Sequence, residues 1–415
     1  MDMGTELWGT GILLAALLGL TMAATPEDQL TMKELVGGSN KLAIKLQKPY
    51  CENGMFQELK GDGNVFIAPL SITSCLALLY MMSRGQTAHE ITQALHINTT
   101  DYGEITSAYK RTLQSLHKEA LSWANSVFID NGVPVKKQYI DDIKTYMESL
   151  AENLDLSNEV EKSRQHINQW VASQTGQMIK ELLPKSFSDD KNKVMVLVSA
   201  VFFKNEWIKP FQGTGKMEFE AIDGTKHTID SMYSTDSHFG TERINEISAD
   251  VVRIDYKGRS QSMLLFLPVL PSVSIDKVEE SLGKVDFVSQ VLDKVPHGRD
   301  GYDLEVIMPK FKLEDKYELS DAFRKLGLQR MFDSKLADFS KATDLKNIEV
   351  TNVYHSAAIE VDEKGTTASG ATGMDISLDM LPRTITFDRT FLFAIVDNPT
   401  SSIVFMGRFN GPKAA

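Results

Sequence analysis

The chain predicts one large α+β domain with its sheets segregated from its helices. Three observations carry that prediction. Helical patterns crowd the first half and apolar, β-branched runs the second, which is not the alternation that a βαβ repeat produces. No Pro/Gly/Ser-rich linker, charge block or fixed-period repeat divides the 415 residues, although length alone suggests two or three domains. The breaks at Leu267 to Ser274 and Val295 to Tyr302 have the length of ordinary loops. Val194 to Phe203 is a continuous apolar run, as in a strand covered on both faces.

Taken in order, residues 30 to 48 read as an amphipathic helix. Phe66 to Gly85 holds a buried helix starting near Ser71 and stopping before Gly85, a glycine placed just past a helix end. Thr87 and Glu90 have the spacing of a capping box that opens the next helix. A further helix is expected over Asp101 to Lys118. Ala124 to Asp130 is a strand closed by the turn Asn131-Gly132. Gln138 to Leu150 and Ser163 to Leu183 are helical, the second with Ile167, Trp170 and Val171 at core-facing spacing. Asp250 to Pro268 reads as a hairpin turning at Lys257-Gly258. Asp303 to Phe311, Ser356 to Val361, Phe391 to Val396 and Ser402 to Phe409 read as strands, and Leu319 to Leu328 as a short helix.

Composition narrows the function. A net charge of −12 argues against non-specific binding to nucleic acid or to an anionic membrane. Lys110, Arg111 and Lys118 read as a solvated helical face. Cys51 and Cys75, the two cysteines, are too few for a disulfide framework and are either paired or both free. Gly11 to Leu20 is apolar but too short to span a bilayer comfortably, and small residues follow it. It reads as a signal peptide over residues 1–24, although Asp2 and Glu6 stand where basic residues are usual. Residues 25–415 are then a single secreted domain. The sequon at Asn98 fits an exposed, glycosylated loop of such a protein.

Motifs of catalysis are missing from the sequence. It has no Gly-x-Ser-x-Gly elbow, no His-Glu-x-x-His and no phosphate-binding glycine loop; Gly213 to Lys216 lacks the spacing. His89 and His96 have no further ligands near them in sequence, so no metal or other cofactor is expected. Nothing nominates an enzyme, and a hydrolase with a dispersed site is the remaining catalytic reading.

The most informative stretch runs from Glu363 to Phe393. Split by alternate residues, Thr366, Ala368, Gly370, Thr372, Met374, Ile376 and Leu378 form an uncharged set, while Asp375 and Asp379 fall in the other. Period-two alternation puts one set on each face of a strand. The glycines and small residues also suit a mobile loop. A segment legible both as loop and as strand is a candidate switch.

With these residues laid out, the chain resembles the serpins along nearly its whole length after residue 24. The matching stretches are Phe66 to Ile72, Val198 to Trp207, Met308 to Phe311, Val353 to Ala358, Ile385 to Ile395 and Phe405 to Phe409, in family order. The resemblance implies a serpin fold: three β-sheets, about nine helices and an exposed reactive-centre loop. It also implies a single-use inhibitor of serine or cysteine proteases. The protease cleaves the loop and forms an acyl-enzyme, and the freed loop then inserts into the main sheet. Loop insertion by serpins is a standard example of strand addition and of released strain. The implied partner is a target protease held in covalent complex, with no nucleic acid or membrane partner. The implied state is a monomer at risk of loop–sheet polymers.

The resemblance also carries over residue roles. Glu363, Gly365, Thr366, Thr367, Ala368, Ser369 and Gly370 match the small, uncharged hinge of inhibitory members. Counting forward from Gly365 and back from Phe387 by family spacing gives Asp379-Met380 as the reactive bond. An aspartate there needs a cationic primary pocket, pointing to a granzyme-B-like serine protease or a caspase. Leu378 would instead invite chymotrypsin-like enzymes, and Arg383 trypsin-like ones. Trp207, Lys310 and Glu363 match the breach, with an ion pair expected between the last two. In the shutter, Ser71 and His355 are kept. Ala68 and Ser199 depart from the usual serine and asparagine, and losing the amide at 199 is expected to leave His355 short of partners. A non-inhibitory serpin acting as carrier, storage protein or chaperone is the alternative.

Overall fold

The computed structural model describes residues 26–47, 63–99, 101–116, 120–189, 193–236, 238–298, 304–366 and 383–412. Residues 1–24, Cys51 and the stretch from Thr367 to Pro382 lie outside these. The chain opens with α1 (Pro26–Gln47), β1 (Val65–Ile67) and α2 (Pro69–Met82). α2 begins two residues earlier than expected, because Pro69 in its first turn has no N–H to leave unpaired. Every residue of α2 is buried.

In α3 (Gly85–Ala94) the expected capping box does not form. Thr87 lies inside the helix, and its Oγ1 accepts the Asp338 N–H at 3.0 Å. The Glu90 carboxylate accepts the Gln329 and Arg330 N–H groups, each at 2.9 Å. Both side chains satisfy a neighbouring segment rather than their own helix end. α4 (Tyr102–Ser115) is capped as its sequence suggests, with Asp101 accepting from the Glu104 N–H.

Next come β2 (Leu121–Asp130), α5 (Lys137–Met147), β3 (Leu150–Leu154) and α6 (Val160–Gln174). α6 is shorter than expected. It ends where Gly176 and Gln177 adopt positive φ, and the chain folds back so that Asn168 Oδ1 accepts the Leu182 and Leu183 N–H groups.

β4 (Met195–Phe203) follows, buried at every position, and then β5 (Asn205–Glu206). The strands β6 (Gly213–Glu220), β7 (Lys226–Asp236) and β8 (Phe239–Ile244) escaped the sequence reading. β6 is largely exposed, so it lacks an apolar signature. β9 (Ala249–Asp255) and β10 (Gln261–Pro268) make the expected hairpin, followed by α7 (Ile275–Leu282) and β11 (Leu304–Pro309). β12 (Phe311–Glu318) was missed although Phe311, Leu313 and Tyr317 alternate inward with charges outward. α8 (Ser320–Lys325), β13 (Asn352–Asp362), β14 (Gly365–Thr366), β15 (Arg383–Thr386), β16 (Phe391–Asp397) and β17 (Ser402–Phe409) complete the described chain.

Among the described residues there are three sheets, as the resemblance implies. One runs β1-β17-β16-β10-β9-β8 and a second β15-β11-β7-β6. The main sheet runs β3-β2-β4-β13-β14-β5, with β12 also on β13. Its two faces are covered by different partners. Val196, Val198, Ala200, Tyr354 and Ala358 pack with Ile167 and Val171 of α6. The alternate residues Leu197, Val201, Val353 and Ala357 join the larger core with α2. Stacked Phe66 and Phe405, 5.3 Å between centroids, tie the first and last strands under this core.

Candidate functional site

The candidate site is the seam where β4 and β13 lie parallel. Their pairing runs from Val196–Asn352 to Phe202–Ala358. Register places His355 opposite Ser199, and Ser199 opposite Asn125 on β2. Directly opposed residues share a sheet face. These three polar residues therefore form a row across three strands, beneath Ser71 of α2.

The hydrogen bonds of this row have one consistent direction. The Ala68 N–H donates to His355 Nε2 at 3.1 Å, so Nε2 is the acceptor and Nδ1 carries the proton. Nδ1–H then donates to Ser199 Oγ at 3.0 Å. Ser199 and Ser71 hydroxyls are 2.7 Å apart, and Ser71 Oγ donates to Asn125 Oδ1 at 2.7 Å. The expected shortage of partners at His355 does not occur. A backbone N–H and a serine hydroxyl satisfy both ring nitrogens, and Asn125 provides an amide one strand further out. Its position was visible in sequence as a lone polar residue on the apolar face that Val127 and Ile129 share. Ala68 acts through its backbone, which explains why a residue without a hydroxyl serves there. Full burial of His355 pushes its pKa down to about 3, from the usual 6.5, because the imidazolium cannot be hydrated.

At the top of the seam β4 and β13 part company. β14 occupies the gap, pairing Gly365 and Thr366 with Asp362 and Val361 on one side and with Glu206 and Asn205 on the other. Gly365 has φ +147°, and a Cβ there would lie 2.4 Å from Asn205 O and 2.5 Å from Glu206 Cα. Only glycine fits. Trp207 is fully buried, stacks on Tyr256 at 4.5 Å and donates from Nε1 to Asp362 O at 2.9 Å. The Trp207 N–H reaches Lys364 O and the Phe211 N–H reaches Glu363 O. Lys310 pairs with Glu363, both about a quarter exposed, and that hydrogen bond holds the Glu363 carboxyl below its ordinary pKa. The turn from β13 into β14 is thus fastened at Asp362, Glu363 and Lys364.

The remaining predicted positions are placed less completely. Thr367, Ala368, Ser369, Gly370, Leu378, Asp379 and Met380 lie outside the described residues. Arg383 begins β15, opposite Leu304 of β11, and its guanidinium pairs with Asp250, which also takes a two-pronged bond from Arg243. Asn98 is exposed, between α3 and α4. The Cys75 thiol is buried against Val198 O, and burial pushes its pKa up to about 12. Among the described residues no three His, Cys, Asp or Glu side chains converge to hold a metal.

Two consequences can be measured. The unfolded chain takes up a proton on His355 below about pH 6.5, whereas the folded chain resists until about pH 3. The stabilisation is therefore full above pH 6.5 and is lost as pH falls, at up to about 1.4 kcal/mol per pH unit. His355→Gln is expected to flatten that slope. Urea midpoints of both proteins between pH 4 and pH 7 check this, and parallel curves would contradict it. Gly365→Ala is expected to unseat β14 at a cost of about 1–3 kcal/mol. Faster hydrogen exchange at the Trp207 and Phe211 amides would report the loss.

A family model described as "Serpin (serine protease inhibitor)" matches residues 39–412. The chain is 31% identical over 398 residues to the leukocyte elastase inhibitor of Homo sapiens, covering 92% of this chain and 100% of that protein. It is 30% identical over 391 residues to Serpin B9 of Homo sapiens, with 92% and 100% covered. Among solved structures it is similar to human thyroxine-binding globulin complexed with thyroxine, at TM-score 0.81 and 26% identity, covering 92% of this chain and 100% of that one. With the seam, the fastened hinge and these likenesses together, the chain belongs to the serpin family.

Proposed function

We propose that this serpin is inhibitory: a suicide substrate that traps a protease as its acyl-enzyme by inserting the cleaved loop between β4 and β13. The observation that carries the reading is the seat of β14. Gly365 and Thr366 already occupy the space between β13 and β5, and β14 runs antiparallel to β13, in the direction of the closed part of the seam. The alternate set from Thr366 to Leu378 carries no charge, its residues small at first and then apolar. A charge on that set would be desolvated during insertion, at several kcal/mol if unpaired.

The proposed reactive bond is Asp379-Met380, with an Asp-specific protease, granzyme-B-like or a caspase, as target. The tie of Arg383 to Asp250 supports this choice over Arg383, because cleavage there would first require pulling a paired strand off β11. Leu378 is the neighbouring rival. The likeness to thyroxine-binding globulin supports a second reading, a non-inhibitory carrier. Incubation with a granzyme-B-like, a chymotrypsin-like and a trypsin-like protease distinguishes these. The expected result is an SDS-resistant complex with the first and a released peptide beginning at Met380. Cleavage without complex by all three, and without gain in thermal stability, would overturn the inhibitory reading in favour of a non-inhibitory one.

Export is the proposed destination, resting on the apolar run from Gly11 to Leu20 and on the exposed Asn98. The relatives lend it no support, and the family match begins only at residue 39. No helix among the described residues is long and apolar enough to cross a membrane. Expression in secretory cells should deliver protein beginning near Thr25 to the medium; retention of an intact Met1 chain inside the cells would overturn it.

A further inference from the structure

A cleft of about 330 Å³ lies between the first turn of α3 and the segment that leads from α8 toward β13. None of its lining residues belongs to the seam or the hinge. Its walls are stitched together by hydrogen bonds that cross between them. The Arg84 N–H donates to Asp338 O at 2.9 Å, and the Asp338 N–H donates to Thr87 Oγ1 at 3.0 Å. Glu90 holds the Arg330 backbone from the other side. The cleft is therefore a built feature of the fold rather than a gap between loose loops.

Its charge opposes that of the molecule. Arg330, Lys335 and Lys346 line it with Asp338 as the lone acid, in a chain whose net charge is −12. Asp338 is occupied: its carboxylate accepts the Ser340 N–H at 3.1 Å and is within Coulombic reach of Lys346 and Arg84. Arg330 is not. Its Nε–H is buried without an acceptor among the described residues, a situation that native structures rarely tolerate. α3 also presents its N-terminal end here without a side-chain cap and without an acid in its own first turn, and the Asp338 carboxylate approaches that end from the facing wall.

We infer that this cleft binds a phosphate group. A guanidinium matches a tetrahedral oxyanion in two-pronged geometry, and the two lysines add point charges. Leu336 and Leu345, 46% and 44% exposed, flank the cations and give an organic phosphate an apolar surface to lie against. The bound anion would join α3 to the segment that enters β13, and so would tie the start of that strand to the helical layer. This inference does not depend on the inhibitory reading, and its test uses no protease.

Calorimetric titration of the full chain with inorganic phosphate, at ionic strength held constant with sodium chloride, is the direct test. Saturable one-site binding is expected, weakened at least about tenfold by Arg330→Met. The double variant Lys335→Ala with Lys346→Ala is exposed enough to fold normally and should weaken binding several-fold. It decides the matter should Arg330→Met fail to fold. Absence of saturable binding at millimolar phosphate, or undiminished binding by both variants, would overturn the site.

Discussion

The structure depends on the parallel pairing of β4 with β13 and on how weakly their side chains are joined across it. Between the two strands a single side-chain hydrogen bond crosses the seam in the polar row, from His355 to Ser199. A neutral bond of this kind contributes about 0.5–1.5 kcal/mol net. The other contacts of the row, to Ala68, Ser71 and Asn125, lie within one side of the seam or reach down to α2. Parting the strands thus breaks the backbone ladder and little else. The row keeps the sheet in register while it is closed and leaves each half satisfied in large part once it opens.

β13 carries further signs of a strand that is not at its lowest energy. Asn352 Oδ1 and Ser356 Oγ are both buried without a hydrogen-bond partner among the described residues. Each such atom costs about 1–3 kcal/mol relative to a satisfied one. At the upper end the hinge is held by a different kind of contact. Three successive backbone groups, at Asp362, Glu363 and Lys364, are gripped by Trp207 and Phe211, with the indole ring packed on Tyr256. Position 365 has room for no side chain, so the turn is defined sterically as well as by hydrogen bonds.

Two of the local signals in the chain point to the right chemistry and the wrong partner, for one shared cause. Thr87 and Glu90 have capping-box spacing, yet the donors they satisfy belong to residues 338, 329 and 330. Ser199 suggested a shutter deprived of its amide, yet Asn125 stands one strand away in register with it. In both cases the side-chain chemistry was recognised and the partner was not, because the partner is more than 70 residues away in sequence. β12 is a different kind of miss, since its alternation of Phe311, Leu313 and Tyr317 was present to be read.

By itself the sequence determined the class of fold, the family resemblance, the buried central strand and, through that resemblance, the position of the hinge. These follow from periodicity, from apolar runs and from short motifs in order, all of which are local. Tertiary structure alone decided the register that lines up Asn125, Ser199 and His355, the tie between Arg383 and Asp250, and the cationic cleft beside α3. Each of these depends on which distant segments meet when the core closes. That choice is made by the sum of packing over the whole domain rather than by the propensity of any one stretch.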